Sequence, residues 1–154
     1  MPNWCQNRVS VHGEADQVKD FVALVSGGVE WNFSFQSIDP CPQELIDAPA
    51  SWGNEEDKPR HEEMLDKYGY ANWYDRNVAE WGTKWDVGET DYYDADDDGY
   101  VQYEFMTAWG PPAGVYDTLV EKFPDLSISW FYDEPGCELA GYLGNDWWRV
   151  YCFQ

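Results

Sequence analysis

Two stretches of the chain, residues 7–12 and 100–107, alternate side chains with a period of two, and each is followed by an apolar series of helical period. Strand and helix repeated in that order must bury the helices against a shared sheet, which narrows the fold more than any single motif does. Residues 7–12, Asn-Arg-Val-Ser-Val-His, read as a half-buried strand closed by Gly13. Ala15, Val18, Phe21, Val22 and Val25 fall at helical spacing within 14–25, and Gly27-Gly28 ends that helix. Residues 29–35 put Trp31, Phe33 and Phe35 on one face of a predicted second strand. In the second unit, Val101, Tyr103 and Phe105 oppose Gln102, Glu104 and Met106, and Asp98-Gly99 is a hairpin-turn signal linking this strand to one around Tyr92-Tyr93. Pro111-Pro112 opens a helix with Val115, Leu119, Val120 and Phe123 on its apolar side, stopped by Pro124. Further strands are predicted over 126–132, 138–143 and 147–153, the last two joined through Gly144-Asn145.

The fold class that follows is α+β: a ferredoxin-like split βαβ sandwich, an antiparallel sheet with two helices on one face, carrying a helical insertion and an extra C-terminal hairpin. Residues 1–154 form a single domain in this reading, and 37–84 are the insertion. Short helices are expected around 43–46 and 61–68, followed by one that Asn72 caps, with Trp73, Asn77, Val78 and Trp81 near one face. The tryptophans imply that the insertion covers the second face of the sheet.

Charge separates the function classes. The chain has 30 acidic and 9 basic residues, a formal net charge of −21, and also 10 Trp, 11 Tyr and 7 Phe. Disordered acidic chains are poor in aromatics, so a folded body carries this acidity. Non-specific binding to nucleic acid or anionic lipid is disfavoured, because like charges repel and no counterions are released. The N-terminal residues contain no basic region followed by an apolar run, and no stretch approaches the roughly 18 apolar residues of a membrane span, so a cytoplasmic location is expected. Cys5, Cys41, Cys137 and Cys152 form no C-x-x-C and only two histidines are present, which argues for reduced structural thiols and against zinc.

No nucleophile elbow or phosphate-binding glycine loop is present, and Asp133-Glu134 is the most site-like carboxylate pair. Residues 94–101 reproduce the first half of an EF-hand loop, with candidate calcium ligands at Asp94, Asp96 and Asp98. The twelfth position is Phe105 instead of a bidentate Glu, so a solvated acidic loop is the leading reading and no cofactor is expected. Trp4, Trp31, Trp81, Trp85, Trp109, Trp130, Trp147 and Trp148 could stack single-stranded bases, but only Lys122 and Arg149 supply positive charge after residue 85. Core packing and a protein interface are the better use of these rings.

Five motifs together resemble the YubB-like ferredoxin-domain family of phage and plasmid proteins. They are Asn3-Trp4-Cys5-x-Asn7, Ile38-x-Pro40-x-Pro42, Asn77-x-x-x-Trp81-Gly82-Thr83-Lys84-Trp85-Asp86, Phe105-x-Thr107-Ala108-Trp109-x-Pro111-Pro112, and Tyr132-x-Glu134-x-Gly136 followed by Ala140-Gly141. The resemblance implies a mobile-element protein acting inside a bacterial cell, and it carries over no catalytic residue.

The acidity is uneven: residues 1–85 hold 15 acidic and 7 basic residues, net −8, whereas 86–154 hold 15 and 2, net −13. Carboxylates on a rigid scaffold can imitate nucleic-acid phosphates and occupy the groove that binds them. The expected function is a non-enzymatic counter-defence protein of the DNA-mimic type. It would bind a basic host nucleic-acid-binding protein, a restriction or CRISPR nuclease, through Asp86, Glu89, Asp91, Asp94, Asp96, Asp97 and Asp98. The alternatives are a small-ligand or divalent-metal accessory enzyme and an acidic mobile-element protein without mimicry.

Overall fold

The computed structural model describes residues 3–51, 53–96 and 98–144. Its first strand, β1 (Trp4–His12), buries Cys5, Asn7, Val9 and Val11 and leaves Gln6, Arg8 and His12 exposed, as period-two alternation requires. After it come α1 (Ala15–Val25), the short helices α2 (Phe35–Ile38) and α3 (Gln43–Asp47), α4 (Lys58–Tyr68) and α5 (Trp73–Glu80). Then follow β2 (Thr90–Asp96), β3 (Tyr100–Ala108), α6 (Ala113–Lys122), β4 (Ser127–Glu134), a 3-10 turn (Pro135–Cys137) and β5 (Leu139–Tyr142). The five strands pair antiparallel in the order β2-β3-β1-β4-β5. The first four have ferredoxin-like connectivity, and β5 extends the sheet as a hairpin with β4. The predicted strand over 147–153, with Trp147, Trp148, Arg149 and Cys152, lies outside the described residues.

One core joins the sheet to the helices. Val9 and Val11 of β1, Val101, Tyr103 and Phe105 of β3 and Trp130 of β4 cluster with Phe21 and Val25 of α1 and with Val115 and Leu119 of α6. At its centre the fully buried Asn7 replaces a hydrophobe. Its Nδ2 donates to Thr107 Oγ1 at 2.8 Å and to the Cys5 carbonyl at 3.1 Å, while Trp130 Nε1 donates to its Oδ1 at 3.0 Å. A buried amide is tolerable because its polar atoms are partnered.

Three expectations are corrected. Residues 29–35 are not a strand: Trp31 is 62% exposed while Phe33 and Phe35 are fully buried. Gly27 and Gly28 adopt positive φ, and successive turns (Val29 N–H to Ser26 O, Asn32 N–H to Val29 O) carry the chain to Ser34, whose hydroxyl caps α2. The sheet's second strand is instead the acidic segment Thr90–Asp96, beyond the insertion. Next, the insertion does not cover the second face of the sheet. Phe33, Phe35, Leu45, Met64 and Trp81 enter the same core as α1 and α6, so α2–α5 pack on the helical side. Among the described residues nothing lies over the face that presents Arg8, Tyr92, Glu104 and Phe131. Last, Val78 and Val120 are exposed, and α5 buries Arg76 and Asn77 in place of an aliphatic face. The Arg76 guanidinium is 2.7 Å from Asp39 Oδ1, and Trp81 Nε1 donates to the Asp39 carbonyl at 2.9 Å, which locks α5 to the turn after α2.

Candidate functional site: an acidic hairpin edge

Among the described residues β2 is an edge strand, so one side of its backbone has no neighbouring strand there. Its register with β3 (Tyr93 opposite Tyr103, Asp94 opposite Gln102, Asp96 opposite Tyr100) directs Asp94 and Asp96 to the uncovered face, with Tyr93 and Ala95 toward α1. Same-face neighbours on a strand are about 6.7 Å apart. A bulge at Asp91 shifts the register between Thr90 and Tyr92. Glu89, Asp91, Asp94, Asp96 and Asp98 are all exposed, and Asp97 lies outside the described residues.

The predicted solvated loop is therefore a strand over most of its length, unlike the loop of an EF-hand. Asp94 and Asp96 share one face of that strand instead of wrapping around a central point as EF-hand ligands do. Asp96 Oδ1 is also engaged: the Asp98 and Tyr100 backbone N–H groups donate to it at 2.9 and 3.2 Å, closing the turn. Among the described residues no three His, Cys, Asp or Glu side chains are placed to hold a metal ion. The turn is fixed to the body. Gly13 N–H donates to Gly99 O at 3.1 Å, and a Cβ on Gly99, which has φ +95°, would sit 2.0 Å from the Gly13 carbonyl oxygen. Only glycine fits there.

Asp86 does not share the acidic edge. Its carboxylate accepts from Phe35 N–H at 2.6 Å, Gln36 N–H at 3.0 Å, the Ser34 hydroxyl at 3.0 Å and Val87 N–H at 2.7 Å. It satisfies the start of α2, a structural role that a reading by charge alone misses. Asp133 and Glu134 do not form a catalytic pair either, since successive strand residues face opposite ways. Glu134 is 1% exposed, and its Oε2 accepts from Cys137 N–H at 2.5 Å. Burial pushes the nearby Cys5 thiol up to about 12, and the Glu134 contact raises the exposed Cys137 thiol, so neither is an activated nucleophile.

At the opposite end of β3 lies a surface that sequence reasoning did not isolate. Lys84 Nζ sits 4.0 Å from the ring centroids of both Trp85 and Trp109, and the Trp4 ring is 6.2 Å from that of Trp85. Trp4, Trp85 and Trp109 are 45%, 41% and 47% exposed. Trp109 has φ +69°, a strained value for a non-glycine residue, and its N–H donates to the Asn3 carbonyl at 2.8 Å. No carboxylate among the described residues pairs with Lys84, so the indoles hold the ammonium by cation–π attraction. The signal was present in the sequence, because three of the five motifs quoted above converge here.

No helix among the described residues is long and apolar enough to cross a membrane. No curated protein shows significant sequence similarity to the chain. The crystal structure of a protein api92 from Yersinia pseudotuberculosis matches it with a TM-score of 0.59 and 11% identity, over 92% of this chain and 93% of that one. That likeness concerns the fold. Residues 80–146, from the end of α5 past β5, match the family model described as the ferredoxin-like domain in Api92-like protein, so this part of the chain is similar to that domain.

Proposed function

We propose that the chain is a non-enzymatic inhibitor whose acidic hairpin competes with nucleic acid for a basic host protein, a restriction or CRISPR nuclease, in the cytoplasm of a bacterium. The resemblance to YubB-like proteins of phages and plasmids supports that setting. The observation that carries the reading is the exposed edge with Glu89, Asp91, Asp94, Asp96 and Asp98 and no basic residue from 85 to 98. Along β2 the carboxylates average roughly one per 7–8 Å, sparser than the one per 3.4 Å of a single DNA strand. The hairpin is therefore an imitation of one backbone and not of a duplex, and the partner's groove must accept one strand at a time.

The test is affinity capture from bacterial lysate at low and high salt, followed by displacement of labelled DNA from the captured protein. A basic nucleic-acid-binding protein should be enriched at low salt, released at high salt, and lost with D91N/D94N/D98N. Capture unchanged by that neutralisation, or captured protein that still holds its DNA in the presence of the chain, would refute the proposal.

A further inference from the structure

The helix-facing side of the same hairpin forms one wall of a groove whose other wall is α1. The cavity has a volume of about 700 Å³. Val18, Val22 and Val101 give it an apolar lining, and Ala15, Ala23 and Ala95 leave room for incoming side chains. Glu30 stands on its rim, Asp96 borders it at the hairpin end, and among the described residues Lys19 is the one basic residue that lines it. Behind Tyr93, whose ring is 5.3 Å from that of Tyr103, the fully buried Tyr103 hydroxyl has no hydrogen-bond partner among the described residues.

We infer that this groove receives a basic amphipathic helix of the partner protein. Ala15, Val18 and Val22 form an apolar stripe at three- and four-residue spacing along α1, about 10 Å long, which matches the i, i+3, i+7 anchors of a helix of about two turns. An added strand is the poorer occupant, since the bulge at Asp91 and the charges of β2 obstruct edge-to-edge pairing. The Glu30 carboxylate on the rim selects Lys or Arg beside the apolar stripe, and the −13 charge of residues 86–154 draws the same partner. This inference rests on the reading of the hairpin as the edge that meets a basic protein, and it adds shape selection to charge.

Fluorescence anisotropy with the full chain and three labelled peptides of about eighteen residues tests it. One peptide is a Leu/Lys helix with a single apolar stripe, the second has the same composition scrambled, and the third replaces Lys with Glu. The striped basic peptide should bind at least about tenfold more tightly than the other two. Ala23→Trp, which fills the groove from an exposed position of α1 without changing charge, should remove that advantage, and Ala95→Phe should do so from the opposite wall. Equal binding of striped and scrambled basic peptides, or unchanged binding by both folded variants, overturns the groove. If D91N/D94N/D98N still abolishes binding of both basic peptides, the hairpin reading stands without the groove. If it leaves their binding intact, the hairpin reading fails as well. Binding of the Glu peptide as tight as that of its Lys counterpart overturns the choice of a basic occupant.

Discussion

At the residue scale the most informative side chains are polar ones in the wrong place for a simple hydrophobic pattern. Asp86 belongs by sequence to the acidic run, yet its carboxylate takes three hydrogen bonds at the start of α2 and a fourth from the Val87 N–H. Asp86→Ala should therefore lower stability by about 2–3 kcal/mol in urea titration and leave salt-dependent partner capture unchanged. Asn7 looked like a polar position on an alternating strand, and alternation does place it inward, but nothing local announces its links to Thr107 and Trp130. Asn7→Leu strands the Trp130 N–H and removes the amide donor to Thr107 Oγ1, which keeps its own bond to the Gly110 carbonyl, and should cost about 2–4 kcal/mol. Cys5 gives a pH dependence with a definite sign. Its folded-state pKa of about 12 exceeds the ordinary 9.0 of an unfolded chain, mainly through burial. The thiol's contribution is thus complete below about pH 9 and declines by up to about 1.4 kcal/mol per unit as pH rises toward 12. Denaturant midpoints taken at pH 8, 9 and 10 should fall for the natural chain, and Cys5→Ala should flatten that slope.

At the scale of elements, legibility followed the agreement between local preference and tertiary demand. β1, β3, α1 and α6 could be read from period alone, because each has one face in a shared core. The second strand could not. Residues 29–35 have the aromatic alternation of a strand, but two glycines and the Ser34 cap turn them into an irregular connection. β2, with three aspartates in seven residues, has the composition of a loop and is a strand only because β3 supplies its hydrogen bonds. The candidate site was legible in the same partial way: the acidic run marked the hairpin, but nothing in it distinguished the occupied Asp86 from its exposed neighbours. Acids on an edge strand also keep it from pairing with other copies. Neutralising Asp91, Asp94 and Asp98 together should hold or raise monomer stability, while light scattering at millimolar-range concentration reports increased self-association. A variant that stays monodisperse would mean that the Asp91 bulge alone protects the edge.

At the scale of the whole molecule a charge of −21 is a self-repulsion that salt relieves. The Debye length falls from about 30 Å at 0.01 M to about 8 Å at 0.15 M, shorter than the length of β3. The melting temperature should accordingly rise by roughly 3–8 °C over that range, while partner binding weakens, so that stability and affinity move in opposite directions with ionic strength. A chain whose melting point ignores salt would place its acids too far apart to interact. Because the hairpin tip is stapled to the turn between β1 and α1, its carboxylates are presented as a fixed pattern and not as a diffuse cloud. A rigid pattern carries positional information: two proteins of equal net charge but different carboxylate spacing would be distinguishable to the same receptor, as two keys cut from one blank are to a lock.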